Sequence, residues 1–182
     1  MLEIRWHGRG GQGAVTSVEL FALSAIGEGM YAQGFPSFGT ERRGAPVTGF
    51  NRVDDKRIKI RSGIYHPDVV VVLDASLVSL VDVAEGLKPE GVLIVNSTKS
   101  LEDLKKDIRF EGKIATCDAT GIAWKELGVP ITNTTMLGAL VKITGIVKIE
   151  SLDGPIQGRF GRIAVKNQAA AKRAYDEVKF IN

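Results

Sequence analysis

Gly8, Gly10 and Gly13 fall at G-x-G-x-x-G spacing within the run Gly8-Arg9-Gly10-Gly11-Gln12-Gly13. Glycines so placed permit a tight turn and let backbone N–H groups approach an anion. A helix starting at the end of the run adds its positive pole. The chemistry indicated is the binding of a phosphate-bearing cofactor, with Gly8, Gly10, Gly11, Gln12 and Gly13 as contacts. A dinucleotide would also need an acid about 20 positions further on to grip its ribose. Gln33 and Gly34 occupy that region, and the nearest acids are Glu28 and Glu41. The same run read as Gly8-x4-Gly13 meets Ala14-Val15 where a P-loop has Lys-Ser/Thr, which argues against ATP hydrolysis. A bare structural use, a tight strand-to-helix turn with close packing, is the alternative.

A second unusual segment is Pro36-Ser37-Phe38-Gly39-Thr40-Glu41-Arg42-Arg43-Gly44-Ala45-Pro46-Val47. Its glycines and prolines restrict the loop, and adjacent guanidinium forks suit phosphate or carboxylate. Phe35 and Phe38 beside these arginines fit the pattern of interface anchors. Other candidates are weaker. His7 follows a strand and reads as a satisfied structural histidine rather than a base. Cys117 reads as a buried, inert thiol. Asp153-Gly154 with Asn167 lacks the spacing of a thiamine-diphosphate and magnesium motif. No nucleophile–base pair is legible, so no catalytic residue is assigned.

The elements that must carry these residues follow from periodicity. Leu2–Trp6 reads as a strand, and the helix after Gly13 has Val15, Val18, Ala22 and Ala25 on one face. Tyr31–Thr40 is broken by Gly34, Pro36 and Gly39. Val47–Val53 and Arg57–Arg61 read as the arms of a hairpin turned by Asp54-Asp55-Lys56, with Ile58 and Ile60 facing in and a basic face out. Val69–Leu73 and Val92–Val95 are apolar throughout, as in parallel strands covered on both sides. Leu77, Leu80, Val81 and Ala84 repeat at helical spacing. Lys113–Cys117 is a further strand, Asp118 an N-cap for a helix to Leu127, and Thr134–Val147 a buried helix. An amphipathic helix over Ala169–Lys179 closes the chain. The class expected is α/β: one domain over 1–182 with an open, mostly parallel Rossmann-like sheet, helices on both faces and an antiparallel hairpin. Ligands of such sheets lie beyond the carboxyl ends of the strands. There the sequence gathers His7, the glycine run, Asp74, Asn96-Ser97-Thr98 and Asp118, with Asn133-Thr134-Thr135 beside them.

Composition narrows the function. The 182 residues are 44% hydrophobic and 25% charged, an ordinary soluble balance. The longest apolar run, Val69–Leu73, is far short of a membrane span, and Met1–Trp6 does not read as a signal peptide. The expected location is the cytoplasm. One cysteine and two histidines leave no ligand set for an iron–sulfur cluster or a Cys-rich zinc site, so no metal site is assigned. The net charge of +3 is too small for a general nucleic-acid binder. It is concentrated between Glu41 and Arg61, where seven basic residues face three acidic ones. Such a patch suits a phosphate-bearing cofactor, an acidic partner or a subunit interface.

Ile4-Arg5-Trp6-His7-Gly8-Arg9-Gly10-Gly11-Gln12-Gly13-Ala14-Val15, followed by Phe35 to Val47, resembles the gamma subunits of 2-oxoacid:ferredoxin oxidoreductases. The resemblance runs on through Asp68–Asp74 and Asn133–Ala139, nearly the whole chain. The Ser-Phe-Gly-x-Glu-Arg-Arg-Gly wording is closest to the pyruvate and branched-chain 2-oxoacid members. It implies a subunit of a complex that oxidatively decarboxylates a 2-oxoacid to an acyl-CoA, releases CO2 and reduces ferredoxin. Thiamine diphosphate and magnesium would be held by alpha and beta chains, and iron–sulfur clusters by delta and beta chains. Coenzyme A is the small molecule this chain would contact. Phe38, Thr40, Glu41, Arg42 and Arg43 would face the alpha and beta chains or coenzyme A. A free-standing nucleotide-binding oxidoreductase and a basic binding module remain the alternatives.

Overall fold

The computed structural model describes residues 1–37, 44–108 and 110–181 of the chain. One seven-stranded sheet runs through it: β1 (Leu2–Arg9), β2 (Tyr31–Pro36), β3 (Pro46–Asp54), β4 (Val69–Val72), β5 (Val92–Asn96), β6 (Lys113–Cys117) and β7 (Lys179–Ile181). Their order across the sheet is β2-β3-β1-β4-β5-β6-β7. The centre β1-β4-β5-β6 is parallel. The β2–β3 pair and β7 run antiparallel to it at the edges. The expected α/β sheet is therefore present, and the continuous apolar runs form its two middle strands, β4 and β5.

Helices cover both faces. Val69, Val71, Ile94 and Ala115 turn to one side, against α1 (Ala14–Gly27), α3 (Ala119–Leu127), α4 (Asn133–Thr144), α5 (Asp153–Phe160) and α6 (Ala164–Glu177). Val70, Val72, Leu93, Val95 and Ile114 turn to the other, against a 3-10 turn at Ala75–Ser79 and α2 (Leu101–Asp107). Alternation within each strand supplies both cores.

Several elements differ from the periodicity reading. The hairpin is β2–β3, and β3 begins at the carboxyl end of β1, where Arg9 pairs with Pro46. Arg57–Arg61 belongs to no strand, and Ile60 is 46% exposed. Tyr31–Pro36 is a strand despite Gly34, because the glycine lets α1 lie close: a Cβ there would meet Val18 Cγ1 at 2.9 Å and the Val18 carbonyl oxygen at 3.1 Å. On α1 the buried stripe is Ala14, Ser17, Val18, Phe21 and Ala25, whereas Val15 and Leu23 are exposed. Only Ala75–Ser79 is helical in the stretch to Ala84. The last helix starts earlier, at Ala164, and the chain continues into β7. No helix among the described residues is long and apolar enough to cross a membrane.

Candidate functional site at the carboxyl edge of the sheet

β1 alternates apolar and polar side chains. Ile4 and Trp6 face the larger core, where the Trp6 indole N–H donates to Asn51 Oδ1 at 2.8 Å. Glu3, Arg5, His7 and Arg9 project from the opposite face. Each polar group has an assignment. Glu3 accepts from Arg52 Nε at 2.7 Å. Arg5 Nε donates to His7 Nε2 at 3.0 Å, and Arg5 Nη2 holds the carbonyls of Val83 and Glu85. Arg9 reaches Asp74 and Ser76.

His7 is therefore a buried acceptor. Burial first, and the Arg5 charge second, push its pKa down from 6.5 to about 4. The folded protein keeps the ring neutral, whereas the unfolded chain takes up a proton below about pH 6.5. Stability from this group is complete above that pH. It is lost progressively down to about pH 4, for a total of about 3 kcal/mol. His7→Gln, which keeps an acceptor for Arg5, should flatten the decline. Urea unfolding at half-unit steps from pH 7 to 4 checks this, and an unchanged slope in the variant contradicts it.

The glycine run turns from β1 into α1. Gly11 and Gly13 have φ of 95° and 79°, the left-handed region where a glycine is needed. Gly13 is also the N-cap of α1 and lies against the start of α4, where a Cβ would stand 2.5 Å from Asn133 Nδ2. Ser17 Oγ donates to the Asn133 carbonyl at 3.2 Å, tying the two helix starts together. Gly10 is committed elsewhere: its N–H donates to Ala45 O at 2.9 Å, and its carbonyl accepts from Gly44 N–H at 3.0 Å. That stitching fixes the flank of the second sequence motif against the first. Phe38, Thr40, Glu41, Arg42 and Arg43 themselves lie outside the described residues.

Asp74 closes the loop from the other side. Its Oδ2 accepts from Arg9 Nε at 3.0 Å and Gln12 Nε2 at 2.8 Å. Its Oδ1 accepts from Ser76 N–H at 3.0 Å and Ser76 Oγ at 2.6 Å. Gln12 Oε1 in turn accepts from the Arg9 N–H at 2.8 Å. Burial would raise the Asp74 pKa, but the bonds from Ser76, Gln12 and Arg9 outweigh it and hold the carboxyl below its usual range. This network joins residues more than 60 positions apart, and only its separate members are visible in the sequence.

The α1 terminus carries no neutralising group of its own. Gly13 offers no side-chain cap, and no acid lies in the first turn. Among the described residues nothing accepts from the N–H groups of Gly11, Gly13, Ala14, Val15 or Thr16. Gly11 and Val15 are exposed beside them. The arrangement can receive an anion.

Asn96 and Asp118 at this edge are engaged within the fold. Asn96 Nδ2 donates to Leu73 O and Thr120 Oγ1, at 2.8 and 2.9 Å. Asp118 caps α3 through Gly121 N–H at 2.8 Å, as its position suggested. Cys117 lines a cleft of about 570 Å³ with Ser97, Lys99 and Glu177. Burial, followed by the charges of Asp118 and Glu177, pushes its thiol up to about 12, which keeps it protonated and a poor nucleophile. Among the described residues no three His, Cys, Asp or Glu side chains converge to hold a metal.

A mixed sheet with a parallel centre and a glycine-turned β1–α1 unit, stitched through Gly10 to Gly44 and Ala45, defines an α/β module of Rossmann-like class. The chain belongs to the pyruvate ferredoxin/flavodoxin oxidoreductase family, whose sequence model it matches over residues 3–177. It is 55% identical over 179 residues to the pyruvate/ketoisovalerate oxidoreductases common subunit gamma of Thermococcus kodakarensis, covering 97% of each chain. It is 50% identical to the pyruvate synthase subunit PorC of Methanocaldococcus jannaschii, covering 98% of this chain and 97% of that one. The crystal structure of pyruvate oxidoreductase subunit PORC from Thermotoga maritima superposes with a TM-score of 0.91 at 43% identity, covering 100% and 98% of the two chains. The match runs the full length of gamma-type subunits, so the chain is a subunit of a pyruvate:ferredoxin oxidoreductase complex, not a free-standing dehydrogenase.

Proposed function

We propose that this chain performs no bond-making step itself and presents the anionic end of coenzyme A to a reaction centre built by the other subunits. The observation that carries this reading is the N-terminus of the 14-residue α1, bordered by exposed Gly11 and Val15 and lacking a cap among the described residues, behind two left-handed glycines. Coenzyme A carries a pyrophosphate and a 3′-phosphate. A helix start whose N–H groups meet no acceptor among the described residues, with its partial positive charge, suits either one. Asp74, the acid at this loop, is already engaged by Arg9, Gln12 and Ser76, which lessens its repulsion of an incoming phosphate. Arg42 and Arg43 would add forked donors from the connection anchored at Gly10.

The partner chains, alpha, beta and delta, would hold thiamine diphosphate with magnesium and the iron–sulfur clusters, and would pass electrons to ferredoxin. Thiamine diphosphate held there would supply a nucleophilic carbon for the 2-oxo group and an electron sink for the loss of CO2. This chain's residues bind and orient the acceptor thiol's carrier, and Gly8 to Gly13 keep the approach open. The choice between pyruvate and a branched-chain 2-oxoacid would then rest with the catalytic partners.

Gly11→Ala tests the loop without disturbing packing, because a Cβ at Gly11 meets nothing within 4 Å. Its cost is backbone strain at positive φ, about 1–2 kcal/mol. In the assembled enzyme the variant should raise the KM for coenzyme A about tenfold, with little change in the KM for the 2-oxoacid. Equal kinetics for the variant and the unmodified complex would remove the loop from coenzyme A binding.

A further inference from the structure

Lys56 to Arg61 combines two features. Arg57-Ile58-Lys59-Ile60-Arg61 has the alternation and β-branched content of a strand, yet it belongs to no strand here. Among the described residues, no backbone hydrogen bond joins 57–66 to another strand. The stretch is held by Gln33 Nε2 on the Ile58 carbonyl at 3.5 Å and Arg52 Nη2 on the Gly63 carbonyl at 3.1 Å. Beyond it the chain is anchored by Ile64, which is buried. Arg57, Lys59, Ile60 and Arg61 are all exposed. None of Lys56, Arg57, Lys59 and Arg61 takes part in an ion pair among the described residues.

We infer that Arg57–Arg61 is a docking strand that pairs, edge to edge, with an extended acidic segment of another subunit of the complex. Backbone groups left open along a strand-forming sequence are a template for a further strand. Two copies of this chain would bring lysine and arginine rows face to face, which disfavours self-pairing. A strand with acids at alternate positions meets the cations and leaves Ile58 and Ile60 to apolar neighbours. A loop that served only as a solvated surface would have no use for isoleucine at every second position. The pairing proposed is with another chain, and not the hairpin with Val47–Val53 that the spacing suggests, which the fold does not form.

This inference rests on the subunit reading, and the experiment separates the two. Backbone hydrogen exchange of residues 56–62 is compared in the isolated chain and in the assembled complex. The segment should exchange rapidly alone and at least about tenfold more slowly in the complex. The triple variant Arg57→Glu, Lys59→Glu, Arg61→Glu should melt like the unmodified chain, yet associate with its partners at least about tenfold more slowly at low salt. Unchanged exchange in an intact complex overturns the docking strand and leaves the subunit reading standing. Protection without sensitivity to charge reversal overturns the acidic partner. Protection by concentrating the chain alone, or by duplex DNA with a steep salt dependence, assigns the segment to self-association or nucleic acid and likewise overturns it. If the unmodified chain joins no complex, both readings fall.

Discussion

Gly138→Ala should be the most damaging single methyl group that can be added to this chain. Gly138 sits in the middle of α4, fully within the core, where α6 crosses it. A Cβ there falls inside the contact radius of the Ala171 carbonyl oxygen and lies 2.6 Å from its carbonyl carbon. Backbone cannot swing aside as a side chain can, so the two helices must separate. Overpacking in a close-packed core costs about 1–3 kcal/mol and more where nothing relaxes, and this site belongs at or above the upper end. For a chain of this length that is a fall of about 6–12 °C in Tm. The contrast is Gly158→Ala in α5, where a Cβ meets nothing within 4 Å. That change should stabilise by up to about 1 kcal/mol through the unfolded state. Thermal melts of both variants check the pair, and similar Tm values for the two would contradict the packing account.

Asp74→Ala should produce the second large effect and the more informative one. It removes the shared acceptor of Arg9 Nε, Gln12 Nε2 and both Ser76 donors, and it uncaps the turn at Ala75–Ser79. Loss of a cap costs about 1 kcal/mol, and charge-assisted bonds add more, discounted because the Arg9–Asp74 pair is partly exposed. The sum is about 2–3 kcal/mol at pH 7. The pH dependence has a definite sign. A carboxyl held below its usual range stabilises the fold above about pH 4, and that contribution is lost as pH falls through its folded value. The stability gap between Asp74→Ala and the unmodified chain should therefore narrow below pH 4, outside the pH 6.5-to-4 window assigned to His7. Urea unfolding at pH 7, 4 and 3 measures it, and a gap independent of pH would show that packing, not charge, sets the cost. The same variant should loosen Gly8–Gly13, because Gln12 and Arg9 lose their common anchor.

How far the sequence carries depends on the range of the interaction involved. The glycine run and the helix after it are local, and the turn lies where the spacing places it. The parallel strands are legible because burial on both faces demands unbroken apolar residues. Tyr31–Pro36 was harder to see. Gly34 looks like a breaker in one dimension, but its purpose is to admit Val18 from α1. Arg57–Arg61 has the opposite history, with a strand's pattern and no strand beside it. On α1 the expected Val18, Ala22 and Ala25 are inward, while Ala14 and Ser17, small and partly polar, join them and Val15 is exposed. α2 and β7 are too short for a period to register. The Asp74 network is invisible for a different reason, since its partners are brought together only by the parallel pairing of β1 with β4. Resemblance to the gamma subunits supplied the functional class, which the residues alone left open.

We propose that this chain is required by its oxidoreductase complex while the bond-making steps take place on the other subunits. Reduction of a viologen dye, driven by pyruvate and coenzyme A, tests it with the subunits purified separately. The isolated chain should give no turnover. The other subunits of the complex without it should give little, and adding it in equimolar amount should restore activity together with assembly on gel filtration. Turnover by this chain alone, or full activity of the other subunits without it, would contradict the account.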